Sequence, residues 1–435
     1  MALTSLKLRV LKGAFWTIGG NTISQILRLG GNLILTRLLF PEAFGLMVLV
    51  QVFIVGIAML SDIGINASII QNKRSDPKFL NTAWTLQVVR GLVLWLLICA
   101  ISWPVSLFYE EPLLVPLLIV SGLSSIVIGF QSTKIIIANR KVELRKLTIT
   151  EISSSLVGLI FMIIGAWITQ SIWALVIGGL TQSLVKVVMS YSYFKGANNY
   201  FYWDSDAFKS IYKFGRWLML SSIMSFFAAQ GDRLIIGRVF DVGFLGIYSI
   251  SMALVAAVYM LVQKLSSVVF FPSFSELVRD RPGSLYGALR KARFAQIILL
   301  WPIAVLLVFW GEELIYFLYD DRYSEAGWML EVLSLGMLIG VLRGSYAGVL
   351  MALGKTGIST LLLGVQVCIK LSAMLIGSHL GGQIGMIFGL AFASSIIYPV
   401  DIFVYSRFSL WQPELDIPVI IMSVAVIIVY VSRIL

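Results

Sequence analysis

Apolar runs of about 20 residues, the length a helix needs to cross roughly 30 Å of hydrocarbon, recur from residue 13 to the C-terminal end of this 435-residue chain. A soluble fold could not cover that much apolar surface. The composition agrees: 59% of the residues are hydrophobic, 13% are charged and the mean hydropathy is +0.92, whereas an ordinary globular domain is about half apolar and a quarter charged. The runs do not alternate apolar and polar residues at period two, so they are not membrane β-strands. The sequence therefore predicts an all-α integral membrane protein.

Several classes of chemistry drop out at once. The two cysteines, Cys99 and Cys368, lie inside apolar runs and His379 is the single histidine, so neither a disulfide framework nor a transition-metal site is indicated and no cofactor is expected. The first apolar stretch follows Lys7, Arg9 and Lys12, as a signal sequence would. It continues to about Leu39 without a small-residue cleavage site and reads as a retained first helix. The net charge of +11 does not point to nucleic acid, because the bases sit in short loops between apolar runs rather than on one folded face.

The predicted spans are 13–37, 43–67, 83–108, 113–135, 148–169, 171–194, 214–238, 243–271, 294–318, 328–352, 357–379 and 382–405, with 417–433 as a candidate thirteenth, giving 12–13 transmembrane helices. Alternate loops are basic: Lys73, Arg74 and Lys78; Arg140, Lys141, Arg145 and Lys146; Lys195, Lys209 and Lys213; Arg279, Arg281, Arg290, Lys291 and Arg293; Lys355; Arg407. Under the positive-inside rule these loops and the N-terminus face the cytoplasm.

Sliding the chain by 201 residues places Lys12 on Lys213, Trp16 on Trp217, Ser24 on Ser225, Arg37 on Arg238 and Gly45 on Gly246. A repeat of six helices enters the membrane twice from the same side, which makes the repeat parallel. The expected architecture is two parallel six-helix lobes around a central cavity, with residues 1–200 as the N-terminal lobe, 201–408 as the C-terminal lobe and 409–435 as a C-terminal segment.

Charge deep in lipid costs about 2.5–3.5 kcal/mol per group on insertion scales, so it marks functional candidates. Here the candidates are Arg28, Lys186, Asp232, Arg233, Lys264, Arg343, Lys370 and Asp401, leaning positive. Asn21, Gln25, Arg28 and Asn32 share one face of the first span by their 4, 3, 4 spacing. Ser221, Ser225 and Asp232 form a corresponding stripe, and so do Ser359, Gln366 and Lys370. Such stripes either line a hydrated cavity or hydrogen-bond neighbouring helices. Arg28 and Lys370 favour the cavity, the serines the helix contacts. Asp232 and Arg233 either serve transport or form a local pair. Lys186, Lys264 and Arg343 either line the path or snorkel to the surface. Gly381, Gly385 and Gly389 suggest close helix packing. An Asp-x-Asp at Asp204-Ser205-Asp206 resembles a sugar-nucleotide metal motif, but it also reads as a helix N-cap.

The chain resembles, over most of its length, Wzx-type polysaccharide flippases of the multidrug/oligosaccharidyl-lipid/polysaccharide exporter superfamily. The resemblance runs through Thr36-Arg37-Leu38-Leu39-Phe40-Pro41-Glu42-Ala43-Phe44-Gly45, Asp62-Ile63-Gly64-Ile65-Asn66-Ala67, Asp232-Arg233-Leu234-Ile235-Ile236-Gly237-Arg238 and Phe271-Pro272-Ser273-Phe274. It implies transport of undecaprenyl-diphosphate-linked oligosaccharide across the bacterial inner membrane by alternating access, in contact with membrane lipids, and no enzymatic activity. A proton or sodium is then the candidate coupling ion, and a polysaccharide polymerase the candidate partner. The cavity residues expected are Asn21, Gln25, Arg28, Asn32, Asp232, Arg233, Lys264, Gln366 and Lys370. A drug/cation antiporter on the same fold would instead need an acidic cavity. A membrane-embedded glycan polymerase would need a larger outer loop than that near 319–327.

Overall fold

The computed structural model of the chain describes residues 2–62, 64–71, 76–266, 270–280, 282–344 and 346–434. Side chains are described at all of these except 2–15, 17–18, 71, 212–221, 261–265, 271–272, 282, 347 and 434. Among the described residues all regular structure is helical, and the predicted spans fall on helices, although 43–67 runs on from Pro41–Leu60 into Ile65–Gln71, 113–135 is divided between Leu114–Gly129 and Lys134–Arg140, and 328–352 runs on from Ala326–Arg343 into Tyr346–Ala352. Among the described residues nine helices are long and apolar enough to cross a membrane, ten if the bent pair Leu114–Gly129 and Lys134–Arg140, meeting at 66°, is one span.

One of the nine is a double crossing. Thr356–Ser406 has 51 residues, about 75 Å at 1.5 Å per residue, more than twice the hydrocarbon thickness. Its backbone leaves the helical region at Gly381 (φ −147°, ψ 24°) and Gly382 (φ 57°, ψ −133°), the latter a left-handed conformation that glycine adopts without steric cost. The two arms fold back on each other. Gly385 then lies against the Gly377 carbonyl and Gly389 against the Ala373 carbonyl, each with no room for a Cβ, the close packing expected of these two glycines, whereas Gly381 sits in the break with nothing within 4 Å. Ala2–Leu38 and Ser205–Val239, of 37 and 35 residues, cover the predicted first and seventh spans. Asp204 caps the latter, its Oδ1 accepting from the Ala207 amide at 2.8 Å, so the Asp-x-Asp is a helix start.

The chain divides into two compact units, Met1–Phe226 with Arg233–Gly246, and Phe227–Asp232 with Ile247–Leu435. In the first unit, Ala2–Leu38 packs on Leu144–Thr169 through Gly20 against Thr148 and Gly31 against Leu159. Leu144–Thr169 in turn packs on Trp173–Ser192 through Gly158 and Gly178. Small residues let backbones approach where lipid supplies no hydrophobic drive between helices.

The internal repeat has a structural counterpart in this unit. Gly45 lies against the Val242 carbonyl and Gly246 against the Pro41 carbonyl. Residues 41 and 45 become 242 and 246 under the shift of 201, so the contact is reciprocal, the hallmark of an isologous pair. A methyl at either glycine would strike backbone. Gly45→Ala and Gly246→Ala are each expected to lower stability by about 1–3 kcal/mol. Because they meet at one contact, thermal unfolding in detergent should show the double variant losing less than the sum.

In the second unit, Ala326–Arg343 is buried along almost its whole length. Leu285–Leu318 kinks at Trp310 (φ −127°, ψ 20°), and the Glu331 carboxylate accepts from the Glu312 amide just beyond the kink at 3.2 Å. The candidate thirteenth helix, Pro413–Ile434, is tied to Leu285–Leu318 along its length. Arg293 pairs with Asp416 at 2.5 Å, Trp301 Nε1 donates to Ser423 Oγ at 3.1 Å, and Arg433 donates to the Phe309 carbonyl at 2.7 Å. Arg293 is thereby corrected from a cytoplasmic loop base to a core residue, 1% exposed, its guanidinium 4.1 Å from the Tyr346 ring centre.

Candidate functional site

Two of the candidate residues meet in the second unit. Asp232, from the short stretch of Ser205–Val239 that belongs to this unit, is almost fully buried, whereas Lys370 on the first arm of Thr356–Ser406 is one-fifth exposed. The Lys370 ammonium donates to Asp232 Oδ1 and to the Ala228 carbonyl, both at 3.3 Å. Tyr248 donates to Asp232 Oδ2 at 2.5 Å. An ammonium has three N–H groups, so one of the Lys370 donors is left for the adjoining space.

That space is a cavity of about 220 Å³ lined by Lys370, Gln366, Arg343, Tyr259 and Ser394 together with apolar side chains. Gln366 lies one helical turn from Lys370 and donates through Nε2 to Asp401 Oδ1 at 3.2 Å. Its Oε1 is left as an acceptor. Arg343, which lines the cavity, forms an ion pair with Asp401. The charges beside this cavity are therefore paired, Lys370 with Asp232 and Arg343 with Asp401. The cationic lean of the sequence does not carry over to the cavity as a net field. What the cavity offers is one ammonium donor and one amide acceptor within a turn of each other.

In the first unit, Arg28 donates to Gln25 Oε1 at 2.6 Å across one turn of Ala2–Leu38. Asn21 and Arg28 are exposed, while Gln25 and Asn32 are half-buried. The polar stripe thus runs beside the glycine face that packs on Leu144–Thr169. Arg233 lies within electrostatic reach of Arg28. Asp232 and Arg233, adjacent in sequence, accordingly fall in different units: Asp232 takes its partners from the second unit, and Arg233 belongs to the first, near Arg28. The side chains of Lys264 and Ser221 lie outside the described residues, as do those of Lys12, Lys213 and Trp217 from the repeat. Lys186 pairs with Glu151 at 2.6 Å.

Three membrane-embedded groups escape the sequence reading. Arg90 donates from Nε to the Ser61 carbonyl at 3.0 Å and from Nη2 to the Ala58 carbonyl at 2.5 Å, closing the C-terminal end of Pro41–Leu60. Glu331 is 6% exposed, and Tyr248 holds the Asp232 carboxylate. A charge interrupting an apolar run would have identified Arg90 and Glu331. Nothing in the sequence distinguishes Tyr248. Among the described residues no cluster of His, Cys, Asp and Glu could hold a metal ion.

A family model described as polysaccharide biosynthesis protein matches residues 34–327. The lipopolysaccharide biosynthesis protein WzxC of Escherichia coli (strain K12) is 25% identical over 98% of this chain and 89% of its own length. In structure, an inward-facing multidrug resistance MATE transporter of the MOP superfamily superposes with a TM-score of 0.71 at 13% identity, over 89% of this chain and 94% of its own. The lipid II flippase MurJ, in an inward closed conformation, gives 0.69 at 16% identity over 97% and 98%. At these identities the structural likeness fixes the fold, one common to drug exporters and a lipid flippase.

Proposed function

We propose, from the premise that this chain belongs to the polysaccharide biosynthesis protein family, that it moves lipid-linked oligosaccharide between the leaflets of the bacterial inner membrane. The substrate is an undecaprenyl-diphosphate-linked glycan carried from the cytoplasmic to the outer leaflet by alternating access, and the chain is not an enzyme. The observation that carries the reading is Lys370, a membrane-embedded ammonium that keeps one donor facing a cavity beside the Gln366 amide. Diphosphate oxygens accept charge-assisted hydrogen bonds from such a donor, and sugar hydroxyls donate to an amide oxygen. The prenyl tail stays in lipid.

A drug/cation antiporter on the same fold is the second reading. It needs an acid free to hold a cation, and in this cavity Asp232 and Asp401 are already neutralised by Lys370 and Arg343. A glycan polymerase finds no support in the outer loop near 319–327, which is short because helices end at Leu318 and begin at Ala326.

The proposal extends to an N-terminal lobe over 1–200, a C-terminal lobe over 201–408 and a C-terminal segment over 409–435, with the N-terminus in the cytoplasm. It further includes a proton or sodium as coupling ion and a polysaccharide polymerase that receives the product. Depleting the protein in a polymer-producing cell is expected to accumulate one lipid-linked sugar in the cytoplasmic leaflet while surface polymer falls. Unchanged surface polymer after depletion would overturn the proposal.

A further inference from the structure

We propose that the first unit contains a separate recognition site, a hydroxyl- and amide-lined cavity that takes a sugar ring. It rests on the transport reading only for the source of that sugar, the glycan of the lipid-linked substrate. The cavity, of about 420 Å³, lies between Pro41–Leu60, Pro77–Tyr109, Leu114–Gly129 and Trp173–Ser192, and falls within the roughly 300–1,000 Å³ of small-ligand clefts. Gln51, Gln87, Ser121, Ser125 and Gln182 line it, and Gln51 is exposed at its edge.

Interhelical hydrogen bonding accounts for only part of this set. Gln87 Nε2 donates to the carbonyls of Ile128, Gly129 and Gln131 at 3.2, 3.1 and 3.1 Å, satisfying the end of Leu114–Gly129 where the bent pair breaks. Gln182 Nε2 donates to Ser155 Oγ at 3.1 Å. Both amide oxygens are left as acceptors. Ser121 is 8% exposed, and its hydroxyl has no hydrogen-bond partner. Ser125 contributes a further hydroxyl to the lining. Backbone that departs from the helix at membrane depth is tolerated where it is buried or lines a cavity, and polar groups left open within lipid are costly unless a ligand or water meets them.

The chemistry of the lining selects the ligand. Among the described residues no carboxylate borders the cavity, so none there would neutralise a cation. The single charge among the described lining residues, Arg90, uses Nε and Nη2 on the carbonyls at the end of Pro41–Leu60 and keeps three of its five N–H groups as donors that sugar oxygens can accept. Two amide oxygens and two hydroxyls at one surface match the donor and acceptor hydroxyls of a sugar ring. The glycerol of a lipid headgroup offers the same chemistry on a smaller frame.

Saturation-transfer NMR on the purified full-length protein in a sugar-free detergent tests the site, with D-glucose, D-galactose and N-acetyl-D-glucosamine as probes and glycerol as competitor. At least one hexose is expected to give a signal that glycerol displaces only at higher concentration than the hexose itself. Ser125→Leu, which fills the cavity, should weaken binding about tenfold. Gln182→Ala, which keeps the space and removes an acceptor, should weaken it too and covers the case in which Ser125→Leu does not fold. No signal from any hexose, a signal that both variants leave unchanged, or glycerol binding as tightly as the hexose would overturn the assignment. A hexose signal from a protein that moves no lipid-linked glycan would sink the transport reading while leaving this site standing.

Discussion

Replacing Asp416 with alanine is expected to destabilise the second unit by about 3–5 kcal/mol, the cost of stripping one partner from a buried ion pair. Arg293 and Asp416 are 1% and 0% exposed at 2.5 Å separation. Without the carboxylate the guanidinium keeps the Leu342 carbonyl at 3.1 Å, Gln412 at 3.4 Å and the face of Tyr346, but it loses its counter-charge in a place water does not reach. The pair sits at the start of Pro413–Ile434, so the expected lesion is release of that helix from Leu285–Leu318. Thermal unfolding in detergent and protease sensitivity near residue 412 would register it. Arg293→Met with Asp416→Leu should recover most of the loss, because two apolar side chains carry no desolvation penalty. Arg290→Ala offers the contrast: its pair with Glu414 at 3.0 Å is more than half exposed on both sides, so removal should change stability by about 1 kcal/mol or less. Equal losses from Asp416→Ala and Arg290→Ala would refute the docking role.

Arg293 also marks where sequence reading stopped. Hydropathy located the spans because the length of an apolar run is fixed by the bilayer and not by tertiary contacts. A charge near the end of such a run is ambiguous: the sequence alone does not tell a loop base from one buried against a partner more than a hundred residues away. Arg293 and Asp416 are separated by 123 residues, as Lys370 and Asp232 are by 138. Lys370 was visible as an intramembrane cation and Asp232 as a polar-stripe and cavity residue, but nothing in the sequence joined the two, and the pairing it offered for Asp232 was with Arg233. Breaks were equally hidden. The run 113–135 reads as one span, yet it bends where Gln87 takes up the freed carbonyls. The kink at Trp310 has no proline at that position to announce it. Gly381 and Gly382 were legible, because two glycines between apolar runs can hardly continue a helix. The match of Gly45 with Gly246 was legible for a geometric reason: a contact with no space for a Cβ constrains both residues at once.

Removing the ammonium of Lys370 should have the largest effect on function. In proteoliposomes at equal protein density, Lys370→Ala is expected to reduce translocation of an undecaprenyl-diphosphate-linked sugar by about 30-fold or more, since truncating one partner of a buried, hydrogen-bonded charge pair costs roughly 2–5 kcal/mol. Lys370→Arg, which keeps the charge, should retain part of the activity. Asp232→Asn separates binding from release. Asp232 competes with any anionic headgroup for the ammonium, so neutralising it should tighten binding of undecaprenyl diphosphate while slowing turnover, because the group that reclaims Lys370 on release is gone. A conducting site has to bind weakly enough to let go, as ion pathways do. The salt dependence should follow the same logic, with bound anion more resistant to added salt in Asp232→Asn than in the unaltered protein. Wild-type translocation by Lys370→Ala, or weaker anion binding by Asp232→Asn, would take the substrate away from this cavity and leave the polar stripe at Gln25 and Arg28 to be tested in its place.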